Sequence, residues 1–364
     1  MRSGFPSFLL HLLHLLHLLH LLHLSIQGNY PMSMVKKLRA LLFRVGAFDA
    51  IYLARPRHLT TLAYHRVTDP SAPGFDTYKP NVSATPAAFA EQMDFVRRRF
   101  NVVAMEDVLA WLRGEASLPV RPLLITFDDG YRDNLTEALP VLQQRNLPAT
   151  IFLTTGCVEN TEPFWWDLVA YCFVHTPLHA ADLPLIGQQQ WPNEAERTLT
   201  MERLIDQLRA VPEDEKLAAV QQLPSSLDVT IPERTFADLF LTWEEVRTLT
   251  HHRITMGGHT HTHPIMTRVP LEQARNEAVQ SRACIEAATG QPVHAFAYTN
   301  GQETDFNPEV QAMLREEGFR AAFTLLTGPE PFTRVRRDPM AIQRIMVSHK
   351  DTLPRFAAKL VGRP

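Results

Sequence analysis

The stretch Ile125-Thr126-Phe127-Asp128-Asp129-Gly130 constrains this chain more than any other. Residues 123–127 are a short apolar run of the kind that forms a strand buried on both faces. The run ends in two adjacent carboxylates and a glycine. Adjacent acids repel, and burying one is costly unless it is paired, hydrogen-bonded or bound to a metal. Successive strand side chains also point to opposite faces, so both acids serve one site only where the strand gives way to a loop. Gly130 supplies that freedom. Alone, Asp-Asp-Gly also reads as an exposed acidic turn, and residues downstream must decide.

Strand and helix patterns alternate on either side of this run. Helical patterns over 85–100, 107–113 and 135–145 separate short apolar runs at 60–66, 101–105, 123–127 and 149–153. Strand, helix and strand within about thirty residues make a βαβ unit, whose repetition implies a parallel sheet or barrel. The alternation breaks from 159 to 240, a segment carrying Phe164-Trp165-Trp166-Asp167 and helical stretches at 194–208 and 213–222. It reads as an insertion between two barrel strands, with the aromatic pair as packing rather than a sugar platform. Alternation resumes with Thr242-Trp243-Glu244-Glu245, which has the pattern of a capping box. Strands then fall at 254–257, 294–298, 321–325 and 341–346, with helices at 271–289, 308–317 and 353–360. The expected fold is α/β: a distorted (β/α) barrel of about seven strands with a helical insertion, its chemistry where strands end and loops begin.

The beginning of the chain is different. Residues 8–24 read FLLHLLHLLHLLHLLHL, placing His11, His14, His17, His20 and His23 at intervals of three. As a helix this tract comes near spanning a bilayer, but a period of three winds the imidazoles around it and would put them into lipid. A perfect tripeptide repeat also fits translated simple-repeat sequence ahead of a start at Met32 or Met34, and that reading is adopted for residues 1–31. Residues 32–58 follow as an amphipathic helical lead-in, and 59–364 as the main domain. The lead-in packs on the domain or makes a weak membrane contact. Without an evident export signal, a cytoplasmic location is expected, with an anchored or exported protein if the leader is a true signal. Three cysteines make no disulfide framework. A net charge of −3 gives no reason to expect a nucleic-acid partner.

Downstream, Gly258-His259-Thr260-His261-Thr262-His263-Pro264 carries three histidines at alternate positions. His259 and His263, at i and i+4, share a face if the loop opens into a helical turn; on an extended strand all three would do so. Two histidines and one Asp at the end of a buried strand form a ligand set that leaves coordination positions open. Such a site polarises a carbonyl and lowers the pKa of bound water, and the spare carboxylate can take the proton.

These residues resemble the first two motifs of the NodB-type polysaccharide deacetylases, carbohydrate esterase family 4, over about 62–347 apart from the insertion. The resemblance implies metal-dependent removal of acetyl from an N-acetylated glycan, exopolysaccharide or cell-wall precursor. It implies Asp128 as general base and Asp129, His259 and His263 as ligands of a divalent metal, most often zinc. His261 would lie beside the ligands or be exposed. Phe296-Ala297-Tyr298-Thr299-Asn300-Gly301 resembles the third motif, with Thr299 where proline is expected and Ala297 where many members carry an arginine that orients the base. Backbone N–H near Asn300 would be an oxyanion donor. Arg344-Ile345-Met346-Val347-Ser348-His349 stands where a strand leads to a catalytic-acid histidine, which makes His349 the candidate acid. Tyr64-His65-Arg66 resembles a segment of some members, with His65 read as a core histidine. The alternative is a carbohydrate-binding relative with impaired turnover.

Overall fold

The computed structural model describes residues 32–160 and 162–362. The Leu/His leader, and the reading attached to it, lies outside them. Among the described residues no helix is long and apolar enough to cross a membrane.

The strands are β1 (His58–Tyr64), β2 (Arg66–Val67), β3 (Val82–Ala84), β4 (Asn101–Val102), β5 (Pro122–Asp129), β6 (Ala149–Leu153), β7 (Ala180–Leu183), β8 (Gly187–Gln190), β9 (Ile254–Gly258), β10 (Ala295–Ala297), β11 (Ala321–Phe323), β12 (Glu330–Pro331) and β13 (Ile345–Met346). The main sheet runs β11-β10-β9-β6-β5-β1, with β13 parallel to β1 on its far side. Apart from β12, which pairs antiparallel with β1, its ladders are parallel. A parallel bridge from Ile342 to Phe323 brings the segment before β13 back to β11, so the curled sheet approaches closure as a distorted (β/α) barrel. The last strand is shorter than the run at 341–346 suggests, because only Ile345 and Met346 pair with β1.

Alternation along β5 sorts its side chains. Leu123, Ile125 and Phe127 join the large core beneath the surrounding helices, whereas Leu124 joins Phe152, Ala297 and Phe323 in a second core inside the barrel. The helix Met105–Arg113 adds Met105, Val108 and Trp111 to that inner core. Asp128, two places beyond Thr126, therefore inherits the inward face. Outside, the lead-in helices Met32–Arg44 and Ala47–Ala54 pack on the domain. The Tyr52 hydroxyl donates to the Ala357 carbonyl at 2.6 Å, and buried Asp351 takes Lys359 at 2.5 Å and Arg355 at 3.0 Å.

Residues 164–240 build a third core from Trp166, Phe173, Trp191, Leu204, Leu223 and Phe240, among others. It combines the helices Trp165–His175, Glu194–Ala210 and Glu213–Ser226 with the β7–β8 hairpin.

Close packing across the barrel is tightest at Gly257 of β9, where an added Cβ would collide with the Phe152 ring and lie 3.1 Å from the Ala295 carbonyl. Gly257→Ala is expected to destabilise the fold by about 1–3 kcal/mol through overpacking. A shift in the urea midpoint with unchanged slope measures it.

Candidate metal and acid–base site

Asp128 and Asp129 close β5 and are each 1% exposed. They reach one cavity because the backbone changes hand between them: Asp129 has φ 77° and Gly130 φ 88°. The left-handed turn cancels the alternation that would send Asp129 to the opposite face. An added Cβ at Gly130 would also press to 2.8 Å from a Leu153 methyl, so glycine is required twice over.

Asp128 lies inside the barrel against Arg344, which is fully buried. The guanidinium donates through Nη1 to Oδ1 at 2.6 Å and through Nη2 to Oδ2 at 2.8 Å. It also donates to Thr126 Oγ1 at 3.2 Å and to the Thr324 carbonyl at 3.1 Å. A planar fork held at four points fixes the carboxylate plane. Burial pushes the Asp128 carboxyl up, but the charges of Arg344 and His259 more than offset that and hold it below its usual range.

Asp129 is different: both its carboxylate oxygens are buried without a hydrogen-bond partner among the described residues. Oδ1 lies 3.5 Å from Nε2 of His259 and 3.5 Å from Nε2 of His263, longer than a normal hydrogen bond. One ligand atom from each of the three residues lies within 4.8 Å of the others. His259 Nδ1 sits 2.7 Å from the Ala297 carbonyl, which can only accept, so Nδ1 carries a proton and Nε2 is the nitrogen that faces the cluster. A buried carboxylate facing two imidazole nitrogens without a donor fits a divalent cation. Burial raises the Asp129 carboxyl, and the adjacent imidazoles more than reverse this, keeping it ionised.

His259 and His263 do not share a helical turn. Thr260 and His263 have φ of 64° and 67°, and this bent loop, not i/i+4 spacing, makes the rings converge. Thr260 Oγ1 accepts from the His263 N–H at 2.9 Å. Glu277, from the helix Leu271–Thr289, takes the His261 N–H, the Thr262 N–H and the Thr262 hydroxyl, each at 2.7 Å. His261 points elsewhere, its Nδ1 3.0 Å from Thr155 Oγ1. The insertion braces the opposite side. His263 packs edge-on to Phe164 at 5.1 Å and Trp166 at 5.0 Å. Trp166 Nε1 donates to the Tyr131 hydroxyl, which donates to Asp167 at 2.7 Å. Burial pushes the Asp167 carboxyl up to about 6, against the opposing charge of Arg66.

The cavity over these groups, about 190 Å³, is lined by His65, Asp128, Asp129, His259, His263 and Asn300, among others. Asn300, at φ 59°, is held by its side-chain donation to Asp305 at 2.6 Å. Its backbone N–H donates to no described residue. Thr299 donates to the Pro264 carbonyl at 2.5 Å, tying this loop to the histidine loop. His349 is not among the lining residues; its Nδ1 and backbone N–H both meet the Val82 carbonyl on β3 at 3.0 Å. Besides His259 and His263, the histidine that lines the cavity is His65. Tyr64 pairs with Phe127 in the β1–β5 register, so His65 follows beside Asp128, and its charge lowers both Asp carboxyls.

The family model for polysaccharide deacetylase matches residues 116–322, more than half of the chain. This chain belongs to the polysaccharide deacetylase family. It is thereby a deacetylase, with glycans as its substrate class. Among solved structures it is similar to the Streptococcus pyogenes deacetylase PplD in complex with acetate, at TM-score 0.56 and 14% identity, covering 84% of this chain and 99% of that one. It is also similar to IcaB from Ammonifex degensii (TM-score 0.51, 19% identity, 83% and 97% covered). A de-N-acetylase from Aggregatibacter actinomycetemcomitans gives TM-score 0.51 and 15% identity, with 83% and 100% covered. At these identities the likeness is one of fold, and it agrees with the barrel. No curated protein matches the chain in sequence.

Within this polysaccharide deacetylase, Ala297 removes an arginine from the third motif, and Arg344 brings one to Asp128 from across the barrel. Replacing Arg344 by Met would leave a buried carboxylate unpaired, at a cost of about 3–5 kcal/mol. Chemical denaturation of Arg344→Met, Asp128→Asn and the double variant tests this: the double should recover much of the loss, because neither charge then remains.

Proposed function

We propose that this protein is a metal-dependent hydrolase that removes acetyl from an N-acetylated sugar, with zinc as the metal. The observation that carries the reading is the buried Asp129 carboxylate, without a donor, facing His259 and His263 next to a second, Arg-held carboxylate. Asp129, His259 and His263 would hold the cation. When bound, a divalent cation there polarises the acetyl carbonyl and makes water more acidic.

The chain's own residues supply the rest. Asp128, ionised and fixed by Arg344, accepts the proton of the attacking water as oxygen bonds to the acetyl carbon. The unpartnered backbone N–H of Asn300 is the donor for the oxygen that gains negative charge. The amide C–N bond then breaks, and the leaving amine takes a proton while acetate departs. His65 is the proposed proton donor, since it lines the cavity beside Asp128 and His349 does not.

Asp128→Asn should abolish acetate release from N-acetylated glycan fragments while metal content is retained; full activity in that variant would defeat the reading. His65→Gln should lower kcat by about 10²–10⁴-fold, whereas His349→Gln should leave it nearly unchanged. The opposite order would return the acid's role to His349. The wild type should bind about one divalent ion per chain, lost in His259→Ala/His263→Ala and measurable by elemental analysis.

A further inference from the structure

The outer wall of the cavity differs from its floor. At the floor, Asp128 is answered by Arg344 and Asp129 faces the imidazoles. On the wall stand Arg209, Lys216 and Arg268, against a single acid, Glu213. Lys216 is 9% exposed, pairs with Glu213 at 2.6 Å and lies 5.4 Å from the centre of the Trp165 ring. Arg209 touches Asp206 at a loose 3.4 Å. Arg268 makes no ion pair with a described residue and donates to the Arg209 carbonyl at the end of the helix Glu194–Ala210. Arg209 and Arg268 are exposed at the cavity rim and Lys216 is buried, so the wall carries an excess of positive charge that a neutral sugar leaves unanswered. An anion answers it, through charge-assisted hydrogen bonds.

Two further features restrict what carries that anion. The cavity is smaller than the ~300–1,000 Å³ usual for sites enclosing a larger ligand, so it suits a single sugar unit. A second recess of about 590 Å³ shares Trp165, Glu213 and His263 with it. Its walls include Leu168, Leu217, Val220, Ile231, Pro232 and Phe236, with Leu217 48% exposed. An exposed apolar trough opening beside a cationic pocket is complementary to an amphiphile with an anionic head.

We infer that the substrate is an acetamido sugar joined through phosphate to an apolar chain: the sugar meets Asp128 and Asp129, the phosphate meets Arg209, Lys216 and Arg268, and the chain lies in the trough. This deepens the deacetylase reading and rests on it for the sugar's position. The test uses four probes: dodecyl N-acetylglucosaminyl phosphate, the neutral dodecyl N-acetylglucosaminide, N-acetylglucosamine 1-phosphate and chitotetraose. Binding is measured by calorimetry on the zinc-loaded Asp128→Asn protein, so the result stands whether or not turnover occurs. The phosphorylated dodecyl compound should bind at least about tenfold more tightly than each of the others. Arg268→Gln should cut its advantage over the neutral dodecyl glycoside about tenfold, and Leu217→Asp its advantage over N-acetylglucosamine 1-phosphate. Tightest binding of chitotetraose, or equal binding of the charged and neutral dodecyl compounds, would overturn the inference. Lack of acetate release by wild type despite the expected binding order would instead overturn the hydrolase reading.

Discussion

Two negative charges at the end of one buried strand are the constraint to which the rest of this structure answers. Asp128 and Asp129 are too deeply buried for bulk water to solvate them well, so the protein must supply a counter-charge to each. It does so in two unlike ways. Asp128 receives a permanent guanidinium, held in turn by Thr126 and Thr324. Asp129 faces two imidazoles whose nitrogens stand too far off to satisfy it, an arrangement that fits a divalent cation. One carboxylate is locked and the other left open to a ligand. That division gives adjacent residues of identical chemistry unlike surroundings, on which the proposed division of roles rests.

Much of this was legible in the chain itself. The apolar run before Asp128 and the alternation around it announce a barrel strand, because a parallel strand covered on both faces leaves that pattern. The triad of Asp129, His259 and His263 was legible through motif order, although the structure reaches it by another route. Spacing suggests a helical turn, whereas two left-handed residues bend the loop. Glu277 left no signal, since a glutamate in an amphipathic helix looks like any solvated face until its partners, the N–H groups of His261 and Thr262, are known.

The arginine that pairs with Asp128 and the cavity histidine His65 were hard to read for a physical reason. Both depend on pairings across the sheet, and no local pattern records which strand lies beside which. Arg344 was visible only as the start of a segment aimed at His349, yet the arginine enters the barrel and the histidine turns to the β3 backbone. His65 looked like a core residue because an apolar strand precedes it, and only the β1–β5 register puts it next to Asp128. The insertion read only as a segment between two barrel strands, while its Phe164 and Trp166 form one wall around His263. Those aromatics do pack, and what they pack against is the site, whose cavity Trp165 and Trp166 also line.

The separation of Arg344 from Asp128, 216 residues along the chain, also bears on the timing of folding. During synthesis β5 emerges long before its counter-ion, at rates of about 5–20 residues per second. For that interval the nascent barrel has every reason to stay open at β1, because sealing its interior would trap an unanswered charge. The ion pair therefore ties closure of the barrel to the arrival of its last strand, since a chain lacking Arg344 closes only by burying an unpaired or neutralised carboxyl. A partly made chain would keep its acidic strand end in water, out of reach of the chemistry the finished site performs.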